Sequence, residues 1–230
     1  MKKVKIIFWL NAEFSHFAIA YFLQKKINAE FYAVIDITNK PKKFFEQQTL
    51  VKFEKVWYFH DAIDSSYCIH DTAFLEMFEK KYDIDLWKIL LNERIFYNFF
   101  DFHKFSKIEM MSIAEQTGNL FEKILDSVKP DFIIAQAPVH FHSELFYQMA
   151  RKKKVKCLLF SMPKLAGKYL ISEQVTKIDY VDSLDVISAP TNRTYDQILS
   201  YLKNRSSDKT AKNYVQGNAN SKVLFVKAGL

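Results

Sequence analysis

The sequence predicts an α/β fold: a Rossmann-like parallel sheet flanked by helices, with a helical insertion. Residues 129–163 carry most of this prediction, because an apolar run, a polar turn, a helical segment and a second apolar run follow one another there. That order makes a βαβ unit, which nearly always closes right-handed onto a parallel sheet. The run Val4–Leu10 is apolar apart from Lys5, as expected for a strand covered on both faces.

The first third of the chain alternates strand and helix signals. After the first apolar run, Phe17, Ala20 and Leu23 recur at helical spacing. The segment 38–41 is a turn signal, since it combines Asn and Pro. The elements expected here are strands at Val4–Leu10, 29–37 and 55–59, a helix over 16–27, and a short helix or irregular piece from Phe44.

From Asp71 the apolar period changes to that of a helix. Apolar residues keep a three-four spacing over 105–128, and Lys129-Pro130 ends that helix because proline cannot continue it. The βαβ unit follows, and Asn192 is the expected N-cap of a final helix. The elements expected here are helices over 72–81, 84–93, 105–128, 144–153 and 192–203, and strands at 131–137, 155–160, 167–172 and 183–188.

The chain is expected to hold one Rossmann-like domain over residues 1–204. Residues 205–221 are rich in Ser, Asp, Lys, Asn and Gly, which is typical of a linker. A strand pattern at 222–226 follows, with nothing after it to complete a unit. We therefore expect 205–230 to be a linker and the start of a second domain that is missing or reduced.

Composition excludes several function classes. The chain has only 4 glycines and contains neither G-x-G-x-x-G nor G-x-x-x-x-G-K-[ST], so a nicotinamide Rossmann enzyme and a P-loop ATPase are close to excluded. The net charge of +7 would suit attraction to phosphate, nucleic acid or an anionic membrane, but the scattered lysines favour a merely lysine-rich composition. The sequence has no signature of a nucleic-acid-binding module, so nucleic acid is not an expected partner.

The sequence predicts a cytoplasmic protein, with membrane association left open. The apolar run near the amino terminus is too short for a signal peptide, and no stretch approaches the ~18 apolar residues of a membrane span. Cys68 and Cys157 do not make a disulfide framework, and Cys157 is expected to be a buried thiol. The aromatic tract 95–103 is expected to be core, with a membrane-facing patch as the alternative.

Polar side chains follow the carboxyl ends of the predicted strands, where ligand sites of parallel sheets lie. Four of the six histidines are among them, namely His16, His60, His140 and His142. Polar residues are common in loops generally, so each residue taken singly is also open to that simpler explanation. The residues predicted to contact substrate are Asn11, Ser15, His142, Ser143 and Lys164.

Three chemical roles are considered at this edge of the sheet. Glu13 and His16 could supply a general base, the alternatives being that Glu13 accepts backbone N–H bonds and that His16 packs. His140 and His142 have no recognisable third ligand, so no metal is expected, and no cofactor is predicted. The start of the helix after Ser143 suits a phosphate or a sugar, because free N–H groups and the helix dipole favour an anion and Ser143 can cap.

Three local features of the chain occur together in one layout. They are a glycine-poor first strand with a polar turn over 6–13, a helical insertion containing Asn92-Glu93-Arg94, and the segment 129–134. Together they resemble the amino-terminal half of GT-B glycosyltransferases, and most closely archaeal and bacterial surface or capsular polysaccharide biosynthesis proteins. The resemblance covers residues 1–203.

The resemblance implies two Rossmann-like domains with a cleft between them, the first receiving the acceptor and the second gripping a nucleotide-sugar. Glu13, His16 and His140 match the acceptor-side loops, one of which would supply the base. The implied partners are a nucleotide-sugar, a glycan or lipid-linked acceptor, and a second domain or subunit, with peripheral membrane contact left open. The predicted function is thus a glycosyltransferase-type, acceptor-side domain in surface polysaccharide or glycan biosynthesis. A non-catalytic sugar- or nucleotide-binding module and half of a nucleotide-sugar epimerase-like protein are the alternatives.

Overall fold

The computed structural model describes residues 3–12, 14–38, 40–64, 66–67, 69–98, 103–161, 169–177, 179 and 192–203. These residues form a six-stranded, mostly parallel sheet flanked by helices, which confirms the predicted α/β class. The strands are β1 (Val4–Leu10), β2 (Ala29–Ile35), β3 (Lys55–Tyr58), β4 (Phe132–Gln136), β5 (Lys156–Ser161) and β6 (Leu170–Ser172). The helices are α1 (Ser15–Leu23), α2 (Lys40–Gln47), α3 (Thr72–Tyr82), α4 (Leu86–Leu91), α5 (Arg94–Asn98), α6 (Lys107–Val128), α7 (Phe141–Lys152) and α8 (Tyr195–Lys203).

The order of the strands across the sheet is β3-β2-β1-β4-β5-β6. Strands β1 to β5 pair in parallel, with Ile6 of β1 opposite Phe31 of β2 on one side and Phe132 of β4 on the other. The chain builds outward from β1 to β3 and then returns to add β4 on the other side of β1. This reversal makes a topological switch point between β1 and β4, outside whose carboxyl ends a crevice is expected.

Two apolar layers cover the two faces of the sheet. Strand residues alternate between them, because successive side chains point to opposite faces. Ile7 and Trp9 face the layer that contains α3, α4, α6 and α7, while Ile6 and Phe8 face the layer of α1 and α2. Side chains from all five parallel strands contribute to these layers, which explains why the strand sequences are apolar runs.

Local sequence signals set most helix boundaries. Helix α6 begins with a capping box in which the Ser106 hydroxyl accepts from the Glu109 N–H and the Glu109 carboxylate accepts from the Ser106 N–H. It ends at Lys129, which adopts a left-handed conformation with φ 51° just before Pro130. Inside this helix Gly118 approaches Phe78 of α3 so closely that a Cβ there would lie 2.9 Å from the ring. Gly118 therefore permits the tight packing of α6 on α3.

Several helix bounds differ from the sequence predictions. Helix α1 ends at Leu23 and not at 27, α2 begins at Lys40 and not at Phe44, and α4 is shorter than the predicted 84–93.

The starts of α7 and α8 each differ by three residues. Helix α7 begins at Phe141, not at 144, with His140 in an extended conformation as its N-cap. Ser143 lies in the first turn and does not cap, because its hydroxyl accepts from the His140 N–H instead. Helix α8 begins at Tyr195, and the Thr194 hydroxyl accepts from the Gln197 N–H, so the prediction of Asn192 as N-cap was wrong.

The chain divides into two compact units. The first comprises residues 1–160 and 171–177 and carries the parallel sheet, and the second comprises 161–170 and 178–230. Helix α8 belongs to the second unit. The strands predicted at 183–188 and 222–226, and the linker predicted at 205–221, lie outside the described residues. In the part of the chain that is described, no helix combines the length and the apolar character needed to cross a bilayer.

Candidate functional site

The carboxyl ends of the parallel strands bring polar side chains to one edge of the sheet. At the switch point the Asn11 Nδ2 donates to the Gln136 Oε1 at 2.8 Å, which links the end of β1 to the end of β4. Asp36 follows β2, and His60 begins a short 3₁₀ turn after β3. This arrangement is the shared edge that parallel strands were expected to produce.

Asp36 is the polar centre of the β1–β3 side of this edge. Its Oδ1 lies 2.9 Å from the His60 Nε2, and its Oδ2 lies 2.9 Å from the His142 Nε2. The indole N–H of Trp9 donates to the same Oδ2 at 3.3 Å. Burial alone would raise the pKa of Asp36, but the hydrogen bonds and charges of His142 and His60 outweigh it, so the pKa lies well below its ordinary value.

His142 is nearly buried in an aromatic stack. Its ring lies 4.6 Å from the Phe59 ring and 5.7 Å from the Trp9 ring, with interplanar angles of 21° and 23°. The His140 ring lies parallel to it at 5.7 Å with an interplanar angle of 5°. His142 is thus held by stacking as well as by Asp36, whereas the side chain of His140 stays 35% exposed.

A buried carboxylate stands behind His140. Glu93, between α4 and α5, has a side chain only 2% exposed, and its Oε1 lies 3.4 Å from the His140 Nδ1. The Glu93 carboxylate also accepts from the Ile95 N–H at 2.9 Å and from the Phe141 N–H. When the His140 proton is on Nδ1, that nitrogen donates to the Glu93 carboxylate and Nε2 keeps a free lone pair.

A polar cavity opens beside this Glu93–His140 pair. Its volume is about 470 Å³, within the range of small-molecule sites. It lies between α4 and the first half of α7. The polar and charged side chains that line it are Asp83, Asp85, Lys88, Asn92, His140, Glu144 and Gln148.

The structure separates His16 from the other predicted histidines. His16 lies in α1, on the sheet face opposite α7, and is 3% exposed. Its ring packs edge-on against Phe160 at 5.4 Å, and its Nε2 has no hydrogen-bond partner. Burial lowers the pKa of His16, and an interaction with the Ala135 backbone offsets only part of this. His16 therefore has the surroundings of a packed, neutral side chain.

The other predicted site residues lie at three places in the structure or outside the described residues. His142 and Ser143 lie with His140 at the start of α7, and Asn11 lies at the switch point. Ser15 lies with His16 in the first turn of α1, where its Oγ is 3.4 Å from the His16 Nδ1. Glu13 and Lys164, predicted as a catalytic and a substrate-binding residue, lie outside the described residues.

The described part of the aromatic tract 95–103 is divided between core and surface, with Phe96 buried, Tyr97 half-buried and Ile95 and His103 exposed. Phe96 is 6% exposed, and its ring lies 5.0 Å from Phe105 and 6.2 Å from Phe141. Ile95 remains partly exposed at the end of this segment.

Cys157 is buried as predicted, and burial raises the pKa of its thiol to about 12.

Sequence reasoning did not identify Glu93 or the α4 residues of the cavity as functional. Glu93 lies between two short helices, where no periodicity or motif marks a buried carboxylate. Asp36 was recognisable as the last polar residue of a strand, but its two histidine partners follow other strands. Within the described ranges, no group of three or more His, Cys, Asp or Glu side chains is arranged to hold a metal ion.

Comparisons with models of known protein families and with curated proteins found no match to this chain.

Proposed function

We propose that this chain is the acceptor-side domain of a glycosyltransferase in surface polysaccharide or glycan biosynthesis, acting with a second domain or subunit. The observation that carries the proposal is His140, which lines a polar cavity at the carboxyl edge of a parallel sheet and has the buried Glu93 carboxylate behind it. An imidazole held by a buried carboxylate and facing a cavity is the arrangement of a general base and its orienting group.

In the proposed reaction, Nε2 of His140 removes the proton from an acceptor hydroxyl. The acceptor oxygen forms a bond to the anomeric carbon of the nucleotide-sugar, and the bond from that carbon to the diphosphate breaks. The nucleoside diphosphate leaves with the bonding electrons. Glu93 acts as a positioning residue, because it fixes the ring and stabilises the imidazolium that the proton transfer creates.

The leaving diphosphate is proposed to be held by the partner domain. The backbone N–H of Phe141 at the start of α7 is already bonded to the Glu93 carboxylate. A phosphate at this helix start would meet that buried negative charge, which removes the advantage that a free helix N-terminus gives to an anion. This favours the sugar over the phosphate among the two ligands that the sequence suggested for this position.

The test is release of nucleoside diphosphate from a panel of nucleotide-sugars with glycan acceptors, using this chain together with its second-domain protein. General-base catalysis contributes about 10²–10⁴-fold, so His140→Ala should lower kcat by a factor in that range. His103→Ala is the matched control. The His103 Nε2 lies 2.8 Å from the Glu109 Oε1 in an exposed histidine–carboxylate pair, and His103 does not line the cavity. Equal turnover in the two variants would remove His140 as the base.

A pH profile separates positioning by Glu93 from a purely structural role. Glu93→Gln should shift the acidic limb of the kcat profile to lower pH, because an imidazolium without its carboxylate loses its proton more readily. A lower content of folded protein would instead scale the whole profile without moving it. His16→Ala is expected to leave the profile in place.

The second candidate is a non-catalytic sugar-binding module. The hydrogen bonds of Glu93 favour it, because the carboxylate accepts from the backbone of both α5 and α7. A purely structural role for Glu93 would explain these two bonds. Titration with glycans and with nucleotide-sugars distinguishes the two. A module of this kind would bind one class of ligand and would release no nucleoside diphosphate from any donor.

Contact with a membrane surface belongs to the proposal of a lipid-linked acceptor. Helix α1 contains no Asp, Glu, Lys or Arg, and its Phe22 is 61% exposed beside Lys25 and Lys26. Exposed aromatic side chains next to lysines suit an anionic bilayer surface. Cosedimentation with phosphatidylglycerol vesicles should be weakened by Phe22→Ser, and equal binding to phosphatidylcholine vesicles would count against the charge contribution.

A further inference from the structure

The polar cavity beside His140 presents mostly hydrogen-bond acceptors. Among the described residues that line it, Asp83, Asp85 and Glu144 are carboxylates and Lys88 alone offers a full positive charge. The Asp85 carboxylate already accepts from the Lys88 N–H at 2.9 Å as the N-cap of α4, but a carboxylate has further lone pairs to offer a ligand.

The two amides of the cavity are partly engaged within the protein. The Asn92 Nδ2 donates to the Lys88 carbonyl at 2.8 Å, and the Gln148 Nε2 donates to the Glu144 Oε1 at 2.6 Å. Each amide therefore has one N–H engaged, and it keeps a second N–H and a carbonyl oxygen for a ligand. The amides can bind donors and acceptors alike, so the excess of acceptors in the cavity comes from its carboxylates.

The charges of the cavity select against anions. Opposite charges attract and like charges repel more strongly near a protein surface than in bulk water. Asp83 is partly balanced by Lys152, whose Nζ lies 3.4 Å away, whereas Lys88 is the one cation that lines the cavity with Asp85 and Glu144 among the described residues. Glu93 adds a further buried negative charge behind His140.

We propose that the cavity binds a glycan unit carrying a free amino group, and that it discriminates against acceptors bearing phosphate or carboxylate at this position. This inference rests on the proposed function, because it names the acceptor class of the same site. The hydroxyls of the sugar donate to the amide and carboxylate oxygens, and its ammonium pairs with Asp85 and Glu144. A hydroxyl of the same unit then lies within reach of the His140 imidazole.

The test is a binding titration by NMR on the isotope-labelled full chain with three disaccharides. These are a glucosamine disaccharide, its N-acetylated form and a glucuronic acid-containing disaccharide. The glucosamine disaccharide should bind at least tenfold more tightly than the acetylated one, and the glucuronic acid disaccharide should bind most weakly. Raising the salt concentration should weaken only the first, since only that one pairs with the carboxylates.

Charge-neutral variants identify the responsible side chains. The double variant Asp85→Asn, Glu144→Gln should lose the preference for the amine, because Asn still caps α4 while the charges are gone. Glu76→Gln on the exposed surface of α3 is the matched control and should keep the preference. Thermal melting of each variant checks that the fold is retained.

The outcomes of the titration and of the activity test are separable. Equal affinity for the amino and acetylated disaccharides, or tighter binding of the glucuronic acid disaccharide, would overturn the inference. Amine-selective binding that depends on Asp85 and Glu144 supports it even if no nucleotide-sugar is consumed. In that case the catalytic proposal fails and the binding site stands.

Discussion

Replacing Glu93 by alanine should reveal how much one buried carboxylate contributes to the stability of this fold. The side chain is 2% exposed, and it accepts from the backbone N–H groups of Phe141 and Ile95. A buried donor left without an acceptor costs about 1–3 kcal/mol, so two orphaned donors cost about 2–6 kcal/mol. Loss of a negative charge at the start of α7 adds about 0.3–1 kcal/mol. We expect Glu93→Ala to lower the free energy of unfolding by about 3–5 kcal/mol.

Urea denaturation followed by far-UV circular dichroism measures this loss. With a slope of roughly 2–3 kcal/mol per M, the midpoint should fall by about 1–2 M. Glu115→Ala is the matched control, because the Glu115 carboxylate also accepts a backbone N–H, from Asp71 at 2.6 Å, but in an exposed position. Water replaces that acceptor, so the loss should stay below about 1 kcal/mol. Equal losses in the two variants would refute the assignment of Glu93 as a buried acceptor.

Three further changes have definite expected effects, each measured by urea denaturation. Gly118→Ala should lower the free energy of unfolding by about 1–2 kcal/mol, because the clash with Phe78 exceeds the helix-propensity gain of about 1 kcal/mol. Adding Phe78→Leu should recover part of the loss, and a fully stable Gly118→Ala would contradict the close approach. The pKa of Asp36 lies below its ordinary value of 3.8. The ionised carboxylate therefore adds its full contribution to the free energy of unfolding above about pH 4, and that contribution is lost as the pH falls further. Asp36→Asn should therefore be less stable at pH 7 and should flatten the decline of stability below pH 4; an unchanged acid decline would disprove this. Thr117→Val should raise the free energy of unfolding by about 0.5–1.5 kcal/mol, since the buried Thr117 hydroxyl has no hydrogen-bond partner, and a loss of stability would show that it has one.

The strands were the most predictable part of the fold. The prediction of β1 at Val4–Leu10 agrees with the structure at both ends, because a strand covered on both faces has a nearly continuous apolar sequence, here interrupted only by Lys5. The end of α6 was also predictable, since Pro130 cannot continue a helix. These features depend on residues close together in the chain, which a local pattern can express.

The start of α7 shows what local patterns miss. Ser143 has the side chain of a good cap, but the helix begins three residues earlier because a carboxylate distant in the sequence, Glu93, bonds the Phe141 N–H. The candidate site was predictable only as an edge of the sheet. His60, His140 and His142 follow strands and do come together there, whereas His16 has the same sequence context and lies on the opposite face. The order of the strands sets that side, because right-handed crossovers on the two sides of β1 lie on opposite faces of the sheet, and no local spacing in the sequence indicates that order.

Trp9 gives the protein a built-in optical probe of its own candidate site. Its indole N–H touches Asp36 and its ring stacks on His142, so any ligand or proton that displaces this histidine changes the surroundings of a nearly buried fluorophore. Trp87 is far more exposed, and its emission can be quenched selectively by iodide in solution. Ligand binding or protonation at the Asp36–His142 pair can therefore be followed by tryptophan emission without attaching a label.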